Sequence, residues 1–237
     1  MLLEVTNLNT YYGHSHALQD MSINVAQGEV VALLGRNGMG KSTTLKSIMG
    51  LLKPKSGKVV FNGQEVTGQA PYKIAKAGIG YVPEERRIFP TLSVMDNLMM
   101  GVKGGKIDTS NPEAWTIEKI FDHFPFMKER THQKGAHLSG GEQQMLTIGR
   151  TLMGNPKLLM MDEPTEGLSP IMVKEVRDVL RKISQSGISI LLVEHNLKVA
   201  LSVASRVYLM AKAHLGYTGT VEELAANAEV RAKYLEV

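Results

Sequence analysis

The chain has 237 residues, 43% of them hydrophobic, which is enough apolar material for one large core or two modest ones. Its net charge of +4 is spread without long runs of one sign, so nucleic-acid binding is not implied, and the lack of cysteine excludes disulfides and cysteine-ligated metals. No basic segment followed by an apolar stretch opens the sequence, and the longest apolar runs fall short of the ~20 residues of a membrane helix, so the expectation is a soluble intracellular chain without a signal peptide.

In chain order, Leu2–Leu8, Met21–Val25 and Lys58–Phe61 read as short antiparallel strands, the last followed by an Asn62-Gly63 turn. Val30-Val31-Ala32-Leu33-Leu34 is a β-rich run that stops at Gly35, and a helix pattern follows Lys41. Ile79–Val82, Leu158–Met161 and Ile188–Val193 are apolar throughout, as in a parallel sheet covered on both faces. Between the last two, Ile171, Val176, Val179, Leu180 and Ile183 recur at helical spacing and complete a βαβ unit. The stretch from Arg87 to Gly154 reads as a helical insertion. Ser110-Asn111-Pro112-Glu113 predicts a capped helix start, with Trp115, Ile120, Phe121 and Phe124 on one face. Gly101-Val102-Lys103-Gly104-Gly105 reads as a flexible loop, and a second helix runs from Glu142 through Met145, Leu146, Ile148, Leu152 and Met153.

Three motifs carry chemistry. Gly35-Arg36-Asn37-Gly38-Met39-Gly40-Lys41-Ser42 fits the P-loop pattern GxxxxGK[ST] in the strand–loop–helix context it requires. Its glycines let backbone N–H groups turn inward around phosphate oxygens, and the helix N-terminus adds partial positive charge. Lys41 can reach the β- and γ-phosphates, and Ser42 can place a hydroxyl on Mg²⁺. Leu138-Ser139-Gly140-Gly141-Glu142 opens another helix and offers a second anion site. Leu158 to Met161 ends in Asp162 and Glu163, a carboxylate pair at the carboxyl end of a buried strand, where ligands of such sheets bind. His195 ends the next apolar run.

A P-loop, an LSGGE and an apolar run ending in Asp-Glu, in that order and spanning nearly the whole chain, resemble the ATP-binding-cassette (ABC) ATPases. The resemblance implies an α/β P-loop NTPase (RecA-like) parallel sheet core with an N-terminal antiparallel β subdomain and an inserted α-helical subdomain. Residues 1–237 would form one cassette. Segments 1–86 and 155–237 supply the nucleotide-binding core, and 87–154 is the insertion carrying LSGGE. ATP and Mg²⁺ are the implied ligands. The nucleotide would be held by Tyr12, stacked on adenine, by Gly35, Arg36, Asn37, Gly38, Met39, Gly40, Lys41, Ser42 and Thr43, and by Ser139, Gly140, Gly141 and Glu142 of a partner cassette packed head to tail. Tyr11 is adjacent to Tyr12, and strand alternation lets only one of them face the base. Ser42, Asp162 and Glu84 are the implied Mg²⁺ ligands. Glu163 is the implied general base, with His195 contacting the γ-phosphate and Lys41 stabilising the phosphates.

Two positions depart from the common pattern. Tyr81-Val82-Pro83 leads into Glu84 where most cassettes have glutamine, adding negative charge that Arg86 and Arg87 would offset. Glu166-Gly167-Leu168-Ser169 ends in serine where aspartate is usual. These features, with a Tyr-Leu-Glu-Val ending, resemble the ATP-binding subunits of bacterial branched-chain amino-acid importers and the closely similar urea and amide importers. The implied partners are a second ABC ATPase chain, integral membrane permease subunits and, indirectly, a solute-binding protein, with no nucleic acid. The implied location is the cytoplasmic face of the inner membrane. Ile88, Phe89, Pro90, Leu92 and Met95, within Glu84–Leu98, are either a permease-binding surface or the insertion's own core. A soluble cassette ATPase of translation or DNA repair is the competing class, but the chain has neither a second cassette nor a long coiled coil. A P-loop kinase or GTPase leaves LSGGE unexplained.

Overall fold

A computed structural model of the chain describes residues 1–105 and 113–235. Two sheets share one core. β1 (Leu3–Tyr12), β2 (Ser15–Val25), β4 (Ser56–Phe61) and β5 (Gln64–Glu65) form an antiparallel sheet in the order β2-β1-β4-β5. The second sheet has six strands in the order β10-β9-β3-β8-β7-β6, comprising β3 (Val30–Gly35), β6 (Ile79–Val82), β7 (Leu158–Asp162), β8 (Ser189–Glu194), β9 (Arg206–Ala211) and β10 (His214–Thr220). Every pairing in it is parallel except β9 with β10.

β1 and β2 run well beyond the apolar stretches that mark them in the sequence. Their ends pair as far as Tyr12 with Ser15, closing on Gly13 at φ 58°. Polar residues there continue the ladder because one face of the ribbon is solvated, so apolar periodicity understates its length. Asn62 and Gly63, both at positive φ, close the β4–β5 hairpin as expected of an Asn-Gly turn.

Successive residues of the buried parallel strands point to opposite faces, and each face is covered. Val31, Leu33, Met160, Leu191 and Val193 face α1 (Lys41–Ile48) and the antiparallel sheet, against Leu45, Ile48, Leu8 and Met21. Leu159, Met161, Ile190 and Leu192 face α6 (Gly140–Leu152) and α7 (Pro170–Gln185), against Ile148, Leu152, Val176, Leu180 and Ile183. α2 (Pro71–Ala77) precedes β6; α8 (Leu197–Val203), α9 (Val221–Ala226) and α10 (Ala228–Tyr234) follow β8 and β10.

Ile171 does not join the buried stripe of α7 and is 73% exposed. Five positions separate it from Val176, about 140° around a helix at ~100° per residue, and Met172 takes the inward place.

Between β6 and β7 the chain makes α3 (Val94–Met99), α4 (Ile117–His123), α5 (Pro125–Glu129) and α6. The helix start expected at Ser110, Asn111 and Pro112 lies outside the described residues, and α4 begins later, at Ile117. Thr116 is its cap, accepting from the Lys119 N–H at 3.3 Å, while the Trp115 N–H donates to Asn155 Oδ1 at 2.6 Å. Trp115, Ile120 and Phe124 are buried against α6 as the apolar spacing implies. The segment 101–105 ends in a short 3-10 turn, Lys103–Gly105.

Candidate nucleotide site

The carboxyl ends of β3, β8 and β7 lie side by side, so Gly35, Glu194–His195 and Asp162–Glu163 converge on one edge of the sheet. Beyond that edge opens a cleft of about 630 Å³ lined by Tyr12, His16, Asn37, Gly38, Gly40, Lys41, Ser42, Thr43, Glu84 and Glu163. A space of that size suits a nucleotide-sized ligand.

The P-loop folds tightly because its glycines take conformations that side chains resist. Gly40 sits at φ 99° as the cap of α1, and a Cβ there would lie 2.7 Å from the Ala17 carbonyl oxygen. No side chain caps α1, so its first N–H groups face the cleft unsatisfied by a cap. Lys41 Nζ donates to the carbonyls of Gly35 (2.9 Å) and Arg36 (3.2 Å) and pairs with Glu163 Oε1 at 3.2 Å. Arg36 and Gly35 line a neighbouring cavity of about 290 Å³ instead, with Glu194, His195 and Leu235. The Met39 thioether accepts from the Lys212 N–H at 3.0 Å, and neither Arg36 nor Met39 lines the main cleft.

Ser42 Oγ donates to Asp162 Oδ1 at 2.8 Å, and the Tyr81 hydroxyl donates to Oδ2 at 3.1 Å. Burial pushes the Asp162 carboxyl above its ordinary value, against the pull of those two hydrogen bonds and of Lys46. Glu84, exposed at the rim, is also raised, by partial burial and by the charges of Glu163 and Asp162; the cation opposing this is Lys46. The expected offset by Arg86 and Arg87 is therefore corrected. Arg87 pairs with Glu85 at 3.0 Å, and the Arg86 guanidinium rests against Gly140, where a Cβ would meet Nη1 at 2.6 Å. Ser42, Asp162 and Glu84 supply hard oxygen donors beside the glycine-rich loop, a set whose chemistry would suit Mg²⁺.

Glu163 lies just past β7 at φ 47°, a left-handed conformation costly for a non-glycine residue, and its N–H donates to the Val193 carbonyl at 2.9 Å. Oε2 lies 3.2 Å from His195 Nδ1, and His195 Nε2 lies 3.0 Å from Glu166 Oε2. The imidazole thus sits between two carboxylates.

Tyr12 is 47% exposed at the cleft, whereas the Tyr11 ring stacks on His16 at 4.1 Å and 8° with Lys55 Nζ 4.9 Å from its centre. Alternation along β1 thus leaves Tyr12 as the free aromatic face. Ser139, Gly140, Gly141 and Glu142 do not line this cleft. They open α6 on the insertion, where Ser139 Oγ accepts from the Glu142 N–H and Glu142 Oε2 accepts from the Ser139 N–H at 2.8 Å, a reciprocal cap. Arg130 pairs with the other Glu142 oxygen at 2.8 Å, so the Glu142 carboxylate is already spent on structure. Ser169 caps α7, accepting from the Met172 N–H. Of the apolar residues in Glu84–Leu98, Ile88 packs into the core, while Phe89 is 42% exposed beneath the Arg150 guanidinium. A groove of about 340 Å³, lined by Lys46, Leu51, Tyr81, Glu84, Arg87 and Arg150, lies alongside.

Three contributors have no site role assigned from the sequence. Tyr81 holds Asp162, Glu166 holds His195, and Lys212 lines the cleft from the β9–β10 turn. Tyr81 and Glu166 stand within the stretches that carry Glu84 and Ser169, whereas Lys212 lies apart from any motif.

The family described as ABC transporter matches residues 18–166. The chain is 39% identical over 234 residues to the high-affinity branched-chain amino acid transport ATP-binding protein BraG of Pseudomonas aeruginosa, covering 99% of both. It is 32% identical to the lipopolysaccharide export system ATP-binding protein LptB of Haemophilus influenzae, over 99% of this chain and 97% of that one. Its fold is similar to the ADP conformation of MJ1267, an ATP-binding cassette of an ABC transporter, with a TM-score of 0.82, 29% identity and coverage of 97% and 96%.

Proposed function

This chain belongs to the ABC transporter family as an ATP-binding ATPase subunit, and we propose that it powers an importer of branched-chain amino acids or a related small polar solute. The observation that carries the reading is the full-length 39% identity to an ATP-binding protein of branched-chain amino acid transport, higher than the 32% to the lipopolysaccharide export protein.

In this reading the P-loop amides and Lys41 bind the β- and γ-phosphates, and Tyr12 stacks on adenine. Ser42, Asp162 and Glu84 hold Mg²⁺, which when bound neutralises developing phosphate charge. Glu163 takes the proton of the attacking water, since it is the carboxylate that lines the cleft beside Lys41. His195, in contact with Glu163, orients the base and the γ-phosphate. Ser139 and the Gly140–Gly141 amides lie outside the lining of their own chain's cleft. They serve the nucleotide of a second cassette packed head to tail, so each ATP is shared between two chains. The groove beside Phe89 receives a permease subunit, which places the chain on the cytoplasmic face of the membrane. No described helix is long and apolar enough to cross it.

The test is detergent co-purification followed by uptake. Recovery with integral membrane proteins, and ATP-dependent uptake of labelled leucine, isoleucine or valine by the reconstituted assembly, supports the reading. Recovery with membrane proteins but uptake of urea or short amides moves the substrate, and recovery without any membrane protein contradicts a transport role.

A further inference from the structure

Glu194 ends β8, and its side chain is fully buried in a strand that otherwise reads Ser-Ile-Leu-Leu-Val. A carboxylate there is expensive unless every lone pair is used. No lysine or arginine pairs with it among the described residues; its partners are four N–H and O–H donors. Thr165 gives its hydroxyl to Oε1 at 2.6 Å and its backbone N–H to the same oxygen at 3.2 Å. The backbone N–H groups of His195 and Asn196 donate to Oε2 at 3.1 and 3.0 Å.

The two oxygens therefore hold two different turns. Oε1 fixes the turn Glu163-Pro164-Thr165 that leaves β7, and Oε2 fixes the turn His195-Asn196 that leaves β8. These turns carry the two side chains that meet at 3.2 Å, Glu163 Oε2 and His195 Nδ1. The direction of the Glu163 side chain is set by a left-handed backbone at φ 47°, a conformation that persists only when its surroundings impose it. Apart from the Glu163 N–H bond to Val193, Thr165 to Glu194 is the tie from this turn to the neighbouring strand end.

We propose that Glu194 is a positioning residue for ATP hydrolysis, its two oxygens fixing the turns that bear Glu163 and His195 at their working separation. The proposal rests on the reading of Glu163 as general base. Glu194 lies behind the P-loop rather than in the phosphate-facing cleft, so its loss should slow turnover while leaving nucleotide binding in place. Displacement of a reacting group by about 1 Å can cost about 10²-fold in rate, which sets the scale.

The experiment compares steady-state ATP hydrolysis and ATP affinity for the full chain, with its membrane subunits present, in Glu194→Gln, Thr165→Val, Thr165→Ser and Glu163→Gln. Glu194→Gln keeps the shape but turns an amide donor toward N–H groups. Thr165→Val removes only the hydroxyl bond, and Thr165→Ser restores it. The expected result is kcat lower by roughly 10- to 100-fold in Glu194→Gln and about 3- to 10-fold in Thr165→Val. The KM for ATP should stay within about threefold in both, and Thr165→Ser should recover most of the turnover. Circular dichroism and thermal melts establish that the assayed variants are folded, and if Glu194→Gln does not fold, Thr165→Val and Thr165→Ser decide. Wild-type kcat in folded Glu194→Gln and Thr165→Val, or kcat and KM shifting together, overturns the proposal. Those results beside an inactive Glu163→Gln overturn it alone; an active Glu163→Gln overturns the base assignment beneath it.

Discussion

Lys41 and Glu163 form an ion pair, Nζ to Oε1 at 3.2 Å, with side chains only 4% and 10% exposed. The same ammonium also donates to two P-loop carbonyls, so its three donors are committed within the chain. In the proposed function, the β- and γ-phosphates of a nucleotide would compete for this cation and release Glu163 toward water, so that binding and activation of the base would be linked through one charge. Lys41→Ala should therefore weaken ATP binding and lower hydrolysis by at least ~10²–10³-fold, the scale of losing a preorganised electrostatic stabiliser. Equilibrium binding of a fluorescent ATP analogue, together with phosphate release, checks both parts; near-normal turnover would remove Lys41 from the site.

Glu163→Gln preserves shape and removes basicity. ATP should still bind, while turnover falls by about 10²–10⁴-fold, the range for loss of a general base. An ATP-bound dimer should accumulate on gel filtration. Unchanged turnover with only monomer present would reassign the base.

The two neighbouring tyrosines make a control pair. Stacking of a base on an aromatic ring is worth about 1–3 kcal/mol, so Tyr12→Ala should raise the Kd for ATP by roughly five- to 150-fold. Tyr11→Ala, whose ring is already covered by His16, should leave it within about threefold. Isothermal titration with ATP and with triphosphate alone separates adenine stacking from phosphate binding. Equal effects of the two substitutions would contradict the assignment.

Away from the site, Arg206 fixes the start of β9 by donating to both Glu29 oxygens at 2.7 and 3.0 Å and to the Asn24 carbonyl at 2.8 Å. The Glu29 carboxyl is held below its ordinary value: burial pushes it up, but the Arg206 and Ala26 hydrogen bonds and the Arg206 charge outweigh that. A depressed folded-state value means that this contribution is complete above the unfolded value of 4.5 and is lost as pH falls through the lower folded value. Arg206→Met should cost about 2 kcal/mol at neutral pH, in the range for hydrogen bonds to charged groups, and less in strongly acidic solution. Urea melts at pH 7 and near pH 3 measure the difference; an equal loss at both would place the effect in packing.

Much of this arrangement was legible because short motifs impose their own geometry. The P-loop glycines, the Asp162-Glu163 pair and His195 fall on adjacent parallel strand ends; apolar runs marked those strands, and the resemblance to ABC ATPases, rather than the runs themselves, brought His195 into the same site. What escaped depends on long-range pairing. Arg206–Ala211 and His214–Thr220 pair as strands, yet the second alternates partly and fully exposed residues and carries no strong apolar signal. The cations near Glu84 were misjudged because sequence proximity suggested Arg86 and Arg87, while the turn after Pro83 sends them to Gly140 and Glu85 and leaves Lys46 of α1 to oppose the charge. Ile171 was misplaced by periodicity because the first turn of α7 is anchored by Ser169 and Pro170, with Met172 facing inward.

The central claim is that one ATP is shared by the P-loop of one chain and the Ser139–Gly141 helix start of another. The most direct measurement is ATP binding and ATP-dependent dimerisation of Ser139→Arg, whose fold is checked by circular dichroism. The lone variant should bind ATP within about threefold of the unmodified chain, because Ser139 lies outside its own cleft, as expected for a surface change away from a contact. The bulky side chain should nevertheless abolish both dimerisation and turnover. Loss of ATP binding by the folded, lone Ser139→Arg chain would mean that both motifs serve one nucleotide within a single chain, and would contradict the shared site.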